Sequence, residues 1–148
     1  MKRAWMLMGV VAMTAMTTAP AVAQSRAVTH VDSEKVAAAL AGRGGSLVAT
    51  KDFTVAGSHR DKAGQVEVHA RETDIFYVTD GEATLVVGGT VVGGKTTGPG
   101  QIRGTNITGG QTQHLKKGDV VTIPAGTPHW FKELGTPTIS YLTVKVLK

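Results

Sequence analysis

The sequence contains no cysteine among its 148 residues. Disulfide bonds, thiolate metal ligands and thiol nucleophiles are therefore excluded, and any metal bound by this chain must be held by nitrogen and oxygen donors. Aromatic residues are also scarce, at 5% of the chain, and they are not interleaved with any dense cluster of basic residues. Although the net charge is +5, the chain lacks the charge pattern of a nucleic-acid-binding protein, and we expect no nucleic-acid partner.

The apolar run near the N-terminus, Trp5 to Met16, is too short to span a bilayer. Lys2 and Arg3 precede this run, and Ala21-Val22-Ala23 follows it as a small-x-small cleavage site. This order is typical of a bacterial secretory signal peptide, so we predict that residues 1–23 are removed on export to the periplasm or beyond. The mature chain then keeps no stable membrane span. The alternative interpretation is an uncleaved membrane anchor.

The residues after the predicted cleavage site are enough for one domain with a modest core, and not for two. Residues 24–45 predict an arm followed by a short helix, which Asp32 or Ser33 caps and which the glycines at 42, 44 and 45 end. So short a helix is marginally stable alone and must pack on the rest of the domain. Its apolar side is predicted to contain three residues: Val36, Ala37 and Leu40.

Residues 46–148 have the pattern of a β domain throughout. Short β-branched and aromatic runs recur at regular spacing between Gly, Asp and Pro residues, which predicts a sandwich or a closed barrel. No residues remain for crossover helices, so the sheets must be antiparallel. The predicted strands lie near 47–50, 53–58, 65–70, 74–79, 83–92, 101–107, 111–115, 119–123, 128–133 and 138–147.

A glycine-rich stretch occupies residues 88–110 and contains the phosphate-loop pattern over residues 89–96. A phosphate loop must lead directly into a helix, but Thr97-Gly98-Pro99-Gly100 follows here. We therefore interpret the stretch as a glycine-kinked excursion between strands and not as a nucleotide site. If the excursion borders the mouth of a barrel, Lys95 and Arg103 are candidates for contacting an anionic substrate.

Four titratable residues are the candidates for chemistry: Glu67, His69, Asp74 and His129. In an extended strand the side chains of Glu67 and His69 point the same way, about 7 Å apart at Cα. Asp74 opens the next β run, which ends at Asp80-Gly81, a dipeptide that predicts a hairpin turn.

The spacing of these residues resembles the two motifs of the cupins, small β-barrels that usually bind one metal through two histidines and a glutamate from the first motif and a histidine from the second. The second motif matches at Gly118, Pro124, Gly126 and His129, and the first matches at His69, Asp74 and Gly81. Two ligand positions depart from the pattern, because Glu67 replaces the first histidine and Asp74 replaces the glutamate. The resemblance covers roughly residues 46–147.

The resemblance implies an all-β, cupin-type antiparallel barrel, or double-stranded jelly roll, with a divalent metal held by Glu67, His69, Asp74 and His129. Such a mixed nitrogen and oxygen set suits manganese, iron, zinc or nickel. Two carboxylates would also balance the charge of the ion. In the alternative interpretation, the two carboxylates form hydrogen bonds or salt bridges with the histidines, and no metal is bound.

Three classes of function remain open at this point. The first is a metal-dependent oxygenase, isomerase or lyase that acts on a small oxygenated molecule, with Glu67 as a possible catalytic base. The second is a periplasmic module that binds a small molecule or a metal without turnover, and the third is a structural barrel with a vestigial site. We also expect a homodimer, because the strands carry more large apolar side chains than one interior can bury. The side chains in excess are Ile75, Tyr77, Tyr141 and Leu142.

Overall fold

The computed structural model describes residues 27–148. The predicted signal peptide, residues 1–23, and the start of the predicted arm lie outside this range. Residues 27–32 have no regular secondary structure. Between residues 27 and 148, no helix combines the length and the apolar character needed to cross a membrane.

One short helix and thirteen strands make up the described chain. In chain order they are α1 (Ser33–Ala41), β1 (Gly45–Ala49), β2 (Phe53–Arg60), β3 (Val66–His69), β4 (Glu72–Asp80), β5 (Glu82–Val87), β6 (Thr90–Val92), β7 (Lys95–Gly98), β8 (Gln101–Gly104), β9 (Asn106–Thr108), β10 (Gln111–Lys116), β11 (Val120–Ile123), β12 (His129–Leu134) and β13 (Ile139–Leu147).

Eleven of the strands form two main sheets. One sheet has the order β1-β2-β13-β4-β11 and the other has the order β10-β5-β12-β3-β8-β7, while β6 and β9 make a separate pair. Every pairing is antiparallel, as predicted. The all-β jelly roll with a short helix is therefore confirmed, although the sheets do not join into a closed barrel.

Side chains alternate between the two faces of each strand, and the inward-facing residues fill the space between the sheets. On β4, Phe76 and Val78 point inward, whereas Tyr77 between them is exposed. The apolar part of the interior is formed by Phe76, Val78, Ala83, Leu85, Leu115, Ile123, Phe131, Ile139 and Tyr141. Tyr141 is buried in this core, which corrects its predicted place on a dimer surface.

The Asp80-Gly81 dipeptide does not close a hairpin, contrary to the prediction. It passes the chain from β4 in the five-stranded sheet to β5 in the six-stranded sheet. Gly81 has a φ of +81°, and a Cβ at this position would collide with the carbonyl oxygen of Thr138. The tight turn signal was thus real, but it connects two layers of the sandwich and not two paired strands.

The glycine-rich stretch forms strands and turns without a helix, as predicted. The predicted strand 83–92 is divided into β5 and β6 at Gly88 and Gly89, which both have positive φ values. The predicted strand 101–107 is divided at Thr105, and the strand β7 was not predicted. Polar and glycine residues in this stretch hide the pairing of β7 with β8 from a pattern based on apolar residues.

The predicted helix is present, and its cap is Asp32, whose side chain accepts a hydrogen bond from the Lys35 backbone N–H. Its half-buried apolar residues are Val36, Ala39 and Leu40; the predicted Ala37 is exposed. Ala39 packs so closely on β2 that a Cβ at Gly57 would lie 2.6 Å from the Ala39 Cβ. The helix packs against β1, β2 and β13, near the β1 edge of the five-stranded sheet.

Candidate metal centre

The first part of the candidate site is built on β3, which carries Glu67 and His69 on the same face. Antiparallel pairing places Glu67 opposite His129 of β12 on one side and opposite Arg103 of β8 on the other. The same pairing with β8 places Gln101 opposite His69. Since directly opposite residues share a face, these five side chains come from neighbouring positions of one sheet surface.

The loop that precedes His129 is fixed directly to β3. The Gly126 backbone N–H donates a 2.8 Å hydrogen bond to the carbonyl oxygen of His69, and Gly126 has a φ of +81°. This contact joins the two motifs that are separate in the sequence. It places His129 beside His69, with a distance of 5.2 Å between the two ring centroids.

Asp74 comes from the opposite sheet and completes the group of four predicted ligands. Its Oδ2 lies 3.5 Å from Nε2 of His69 and 3.4 Å from Nε2 of His129. The Oε2 atom of Glu67 lies 3.3 Å and 3.9 Å from the same two nitrogens. His69, Asp74 and His129 are buried, and Glu67 is half-buried. The structure therefore brings all four predicted residues together.

Both histidines use Nδ1 for a hydrogen bond, so that Nε2 of each ring is free to bind a metal ion. His69 Nδ1 donates to Oε1 of Gln101, and this amide is oriented because its Nε2 donates to Glu72. His129 Nδ1 donates to the carbonyl oxygen of Thr127 at 3.1 Å. The Nε2 atoms of both histidines are buried and have no hydrogen-bond partner. In their neutral tautomers they thus present two lone pairs toward two carboxylates, as metal-binding histidines do.

The distances between these atoms fit a metal ion. Bonds of about 2.1 Å place neighbouring ligand atoms about 3.0 Å apart in an octahedron and about 3.4 Å apart in a tetrahedron. The observed separations of 3.3–3.9 Å lie close to these values. Glu67, His69 and His129 form one possible metal-binding group, and His69, Glu72 and Asp74 form a second that overlaps it.

The electrostatics of the site keep Glu67 ionised. Burial raises the pKa of this carboxyl group, but the neighbouring His69 and the charge of Arg103 outweigh burial and hold the pKa at about 2. Burial also lowers the pKa of His69, but the Glu67 carboxylate and the Gln101 hydrogen bond raise it above its usual value. For His129, burial dominates and lowers the pKa, which favours the neutral ring that a metal requires.

Sequence reasoning missed three residues that support the predicted ligands: Glu72, Gln101 and Lys145. The Lys145 Nζ donates 2.8 Å hydrogen bonds to Asp74 Oδ1 and to Glu72 Oε2. One oxygen of Asp74 is therefore held by an ammonium group, and the other faces the histidines. A signal was present for Lys145, because it interrupts an apolar run at an inward-facing position of β13.

The site opens into a cavity of about 180 Å³ between the two sheets. Polar and aromatic side chains line this cavity, including Arg60, Phe131 and Tyr141. Arg60 Nε donates a 2.8 Å hydrogen bond to the Tyr141 hydroxyl, and its guanidinium lies 4.8 Å from the centroid of Phe131. Arg60 was missed because the predicted strand ended at residue 58, whereas β2 continues through Arg60.

Of the two basic residues considered as substrate contacts, only Arg103 lies beside the site, and two further histidines lie away from it. Arg103 Nη1 is 3.7 Å from Glu67, which places this arginine beside the site, whereas Lys95 is exposed on β7. His59 lies on β2, and its Nδ1 forms a 2.8 Å hydrogen bond with Ser140 Oγ. His114 is exposed on β10.

The fold and this cluster define a class of protein: a small antiparallel jelly roll with a possible His/Glu/Asp metal centre between its two sheets. The chain belongs to the cupin family, because the family model described as "Cupin" matches residues 23–146. Cupin folds often bind divalent metals. No curated protein matches the sequence.

Solved structures with a similar fold include the protein BH2720 from Bacillus halodurans, with a TM-score of 0.59 and 13% identity over 85% of both chains. A protein with a double-stranded beta-helix domain from Klebsiella pneumoniae is 21% identical over 69% of both chains, with a TM-score of 0.50. KdgF from Halomonas sp. also has a TM-score of 0.50, at 16% identity over 71% of this chain and 79% of its own. At these identities the likeness supports the fold alone.

Proposed function

We propose that this chain is an exported cupin protein that holds one divalent metal through Glu67, His69, Asp74 and His129. The observation that carries this proposal is the pair of buried Nε2 atoms, which have no hydrogen-bond partner and face two carboxylates. A buried polar atom without a partner is unfavourable, and a metal ion would satisfy both nitrogens at once. Manganese, iron, zinc and nickel all suit this donor set.

The proposed role of the site is to bind or transform a small oxygenated molecule in the adjoining cavity. A metal bound here would act as a Lewis acid on an oxygen of that molecule. The cavity wall also contains the hydroxyl groups of Ser58 and Thr143. These two groups are hydrogen-bonded to each other, with 2.9 Å between Ser58 Oγ and Thr143 Oγ1. Cavities that combine apolar walls with a few polar groups are typical sites for small molecules.

Glu67 serves as a permanent ligand in this proposal. A carboxylate with a pKa of about 2 is a weak base, and a general base works best when its pKa is near the working pH. The same low pKa keeps Glu67 deprotonated, as a carboxylate ligand of a metal must be. Because Glu67 is thus a poor catalytic base, a binding module without turnover is our second candidate function.

Elemental analysis and calorimetric titration of the purified protein test this proposal. We expect one manganese or zinc ion per chain, together with a rise in melting temperature when metal is added. If the purified protein contains no divalent ion and also binds none during titration, the proposed metal centre is wrong. Screening the loaded protein against small hydroxy acids, keto acids and phenols then separates an enzyme from a binding module, because only the enzyme yields product.

Export is part of the proposal and rests on the leader-like pattern of residues 1–23. The exported protein is expected to begin at Gln24, after the Ala21-Val22-Ala23 site. Intact-mass measurement on protein from the periplasmic or secreted fraction checks this boundary. Recovery of the exported protein with Met1 still attached would show that the leader is not cleaved.

A homodimer is also proposed, through the outer face of the five-stranded sheet. Val120, Tyr77 and Leu142 lie side by side there on β11, β4 and β13, and Val120 and Tyr77 are exposed. Burying this row against a second copy would remove apolar surface from water. Light scattering should give a dimer mass for the wild type and a monomer mass for Tyr77→Arg, while Gln113→Arg on β10 should leave the dimer intact. A monomeric wild type would refute this arrangement.

A further inference from the structure

The charged side chains around the candidate metal centre are balanced before any metal binds. The three carboxylates and three cations contact one another as pairs, with separations of 2.8–3.8 Å. These six residues are Glu67, Glu72, Asp74, Arg60, Arg103 and Lys145. The sequence predicted that two carboxylates would neutralise a divalent ion. Because the six charged side chains already sum to zero, a bound divalent ion would instead give the cluster a formal charge of +2.

The three cations are not equally available to a ligand. Lys145 already donates to Asp74 and Glu72. Arg103 has a buried Nη1 without a hydrogen-bond partner among the described residues, 3.7 Å from Glu67, but Arg103 does not line the cavity. Arg60 lines the cavity, and within residues 27–148 its terminal nitrogens make no hydrogen bond; the nearest carboxylate oxygen, on Glu67, is 3.8 Å away. Arg60 is thus a charged residue of the cavity wall whose terminal N–H donors are not used in this part of the chain; Nη1 lies near Gly64, and Nη2 lies nearest to Glu67.

The side chain of Arg60 is also held in place. Its Nε donates to the buried Tyr141 hydroxyl, and its guanidinium stacks over the ring of Phe131. Anchoring at Nε and at the planar face leaves the terminal nitrogens as a fixed fork, a geometry that matches the two oxygens of a carboxylate. Little conformational entropy remains to be lost when a ligand binds.

The walls of the cavity select for an organic anion of small size. Phe76, Phe131 and Ala56 supply apolar surface, and Ser58 and Thr143 supply hydroxyl groups. A volume of about 180 Å³ is slightly larger than the roughly 150 Å³ cavity that accommodates benzene in another protein. Inorganic phosphate would leave the aromatic surface without a partner.

From these observations we propose that the cavity binds a small organic carboxylate, such as a hydroxy or keto acid, whose carboxylate is held by the guanidinium of Arg60 beside the metal. This inference rests on the proposed metal centre. It narrows the proposed substrates from oxygenated molecules in general to acids, and it makes Arg60 the residue that selects the charge of the ligand.

Calorimetry on the zinc-loaded protein tests the inference with matched pairs: glycolate against glycolamide, and pyruvate against pyruvamide. Each pair has the same number of non-hydrogen atoms and differs in charge. We expect the acids to bind roughly 10- to 100-fold more tightly than the amides, the range for a charge-assisted hydrogen-bonded pair. Inorganic phosphate, measured in parallel, should bind more weakly than either acid.

Three variants assign the preference to Arg60. Arg60→Gln should reduce the acid-to-amide ratio to near one, Arg60→Lys should retain part of it, and Arg71→Gln, which changes an exposed arginine, should retain all of it. Zinc binding without ligand is measured in every variant, and circular dichroism checks the fold. If Arg60→Gln does not fold, the ratio in Arg60→Lys decides, because the point charge of lysine cannot match the fork.

The outcomes separate this inference from the proposed function. Zinc binding with equal affinity for acids and amides would overturn the carboxylate assignment and leave the metal centre standing. Phosphate affinity equal to that of the acids, or a full preference in both Arg60 variants, would also overturn it. Failure to bind zinc would overturn the proposed metal centre and the inference with it.

Discussion

The two halves of the interior contrast sharply, although the same strands build both. On β13, Ile139 belongs to the apolar core, whereas Lys145 near the other end of the strand contacts two carboxylates. On β4, Val78 belongs to the apolar half and Asp74 to the polar half. The apolar half stabilises the fold by removing side chains from water, and the polar half buries charge that must be matched.

The candidate site is therefore a cluster of polar and charged residues inside a sandwich that is otherwise stabilised by apolar packing. Phe76 lies at the boundary, because its ring is 6.3 Å from the His129 ring and 5.6 Å from the Phe131 ring, centroid to centroid. Changes in the apolar half should therefore alter folding more than metal binding. Changes in the polar half should alter metal binding and the pH dependence of stability, and the following predictions test this division.

The largest effect is expected from Leu85→Ala in the apolar half. Leu85 is fully buried, so the variant loses apolar contacts and leaves a cavity, which costs about 2–5 kcal/mol of the free energy of unfolding. Urea denaturation measures this loss, and Val92→Ala at an exposed position is the control, with a change below about 0.5 kcal/mol. A loss in Leu85→Ala no larger than in the control would show that the apolar half is not the main source of stability.

The second effect is expected from His129→Ala in the polar half. With free metal at 100 times its dissociation constant, the wild type should gain about 2.7 kcal/mol of stability on metal addition. His129→Ala should lose this gain while remaining folded, because the apolar core is unchanged. Thermal melts with and without zinc measure it, and His114→Ala, an exposed histidine, should respond like the wild type. A normal metal response in His129→Ala would remove this residue from the site.

The third prediction uses pH to compare the halves in metal-free protein. The pKa of Glu67 falls from 4.5 in the unfolded chain to about 2 in the folded protein, so its stabilisation is complete above pH 4.5 and is lost as the pH falls toward 2. Partial exposure reduces this contribution to about 2 kcal/mol.

Denaturation of the wild type and Glu67→Gln at a series of pH values measures that contribution. The difference in their free energies of unfolding should shrink as the pH falls from 5 to 2. Leu85→Ala should differ from the wild type by a constant amount over this range, because no titratable group is removed. A difference for Glu67→Gln that does not change with pH would contradict the low pKa.

The smallest effect concerns the ligand that departs from the cupin pattern. Glu67→Gln should weaken metal affinity by about tenfold or more, because a neutral amide is a poorer donor than a carboxylate. Glu67→His should retain metal, since it restores the histidine found at this position in the cupin motif. Titration of both variants with manganese and zinc compares the affinities. Wild-type affinity in Glu67→Gln would show that this carboxylate is not a ligand and would revive its role as a base.

Much of the site was predictable because its signals are local. The two-residue alternation of a strand puts Glu67 and His69 on one face, and the motif spacing adds Asp74 and His129. The structure brings these four together, and their role as metal ligands stays a prediction. The dimer and the signal peptide also stay predictions. Arg60 was missed because polar neighbours in Ser58 to Asp61 obscured the end of a strand.

The sequence by itself determined the β character, the antiparallel pairing, the short N-terminal helix and the four residues that form the candidate metal centre. Only the tertiary structure decided which strands are neighbours, and hence that Gln101 orients His69 and that Lys145 holds Asp74. The physical reason is the sequence separation of the interacting residues. Alternation and turns depend on adjacent residues, whereas His69 and Gln101 are separated by 32 positions and Asp74 and Lys145 by 71 positions. Their pairing is selected by the arrangement that buries the apolar faces of both sheets together.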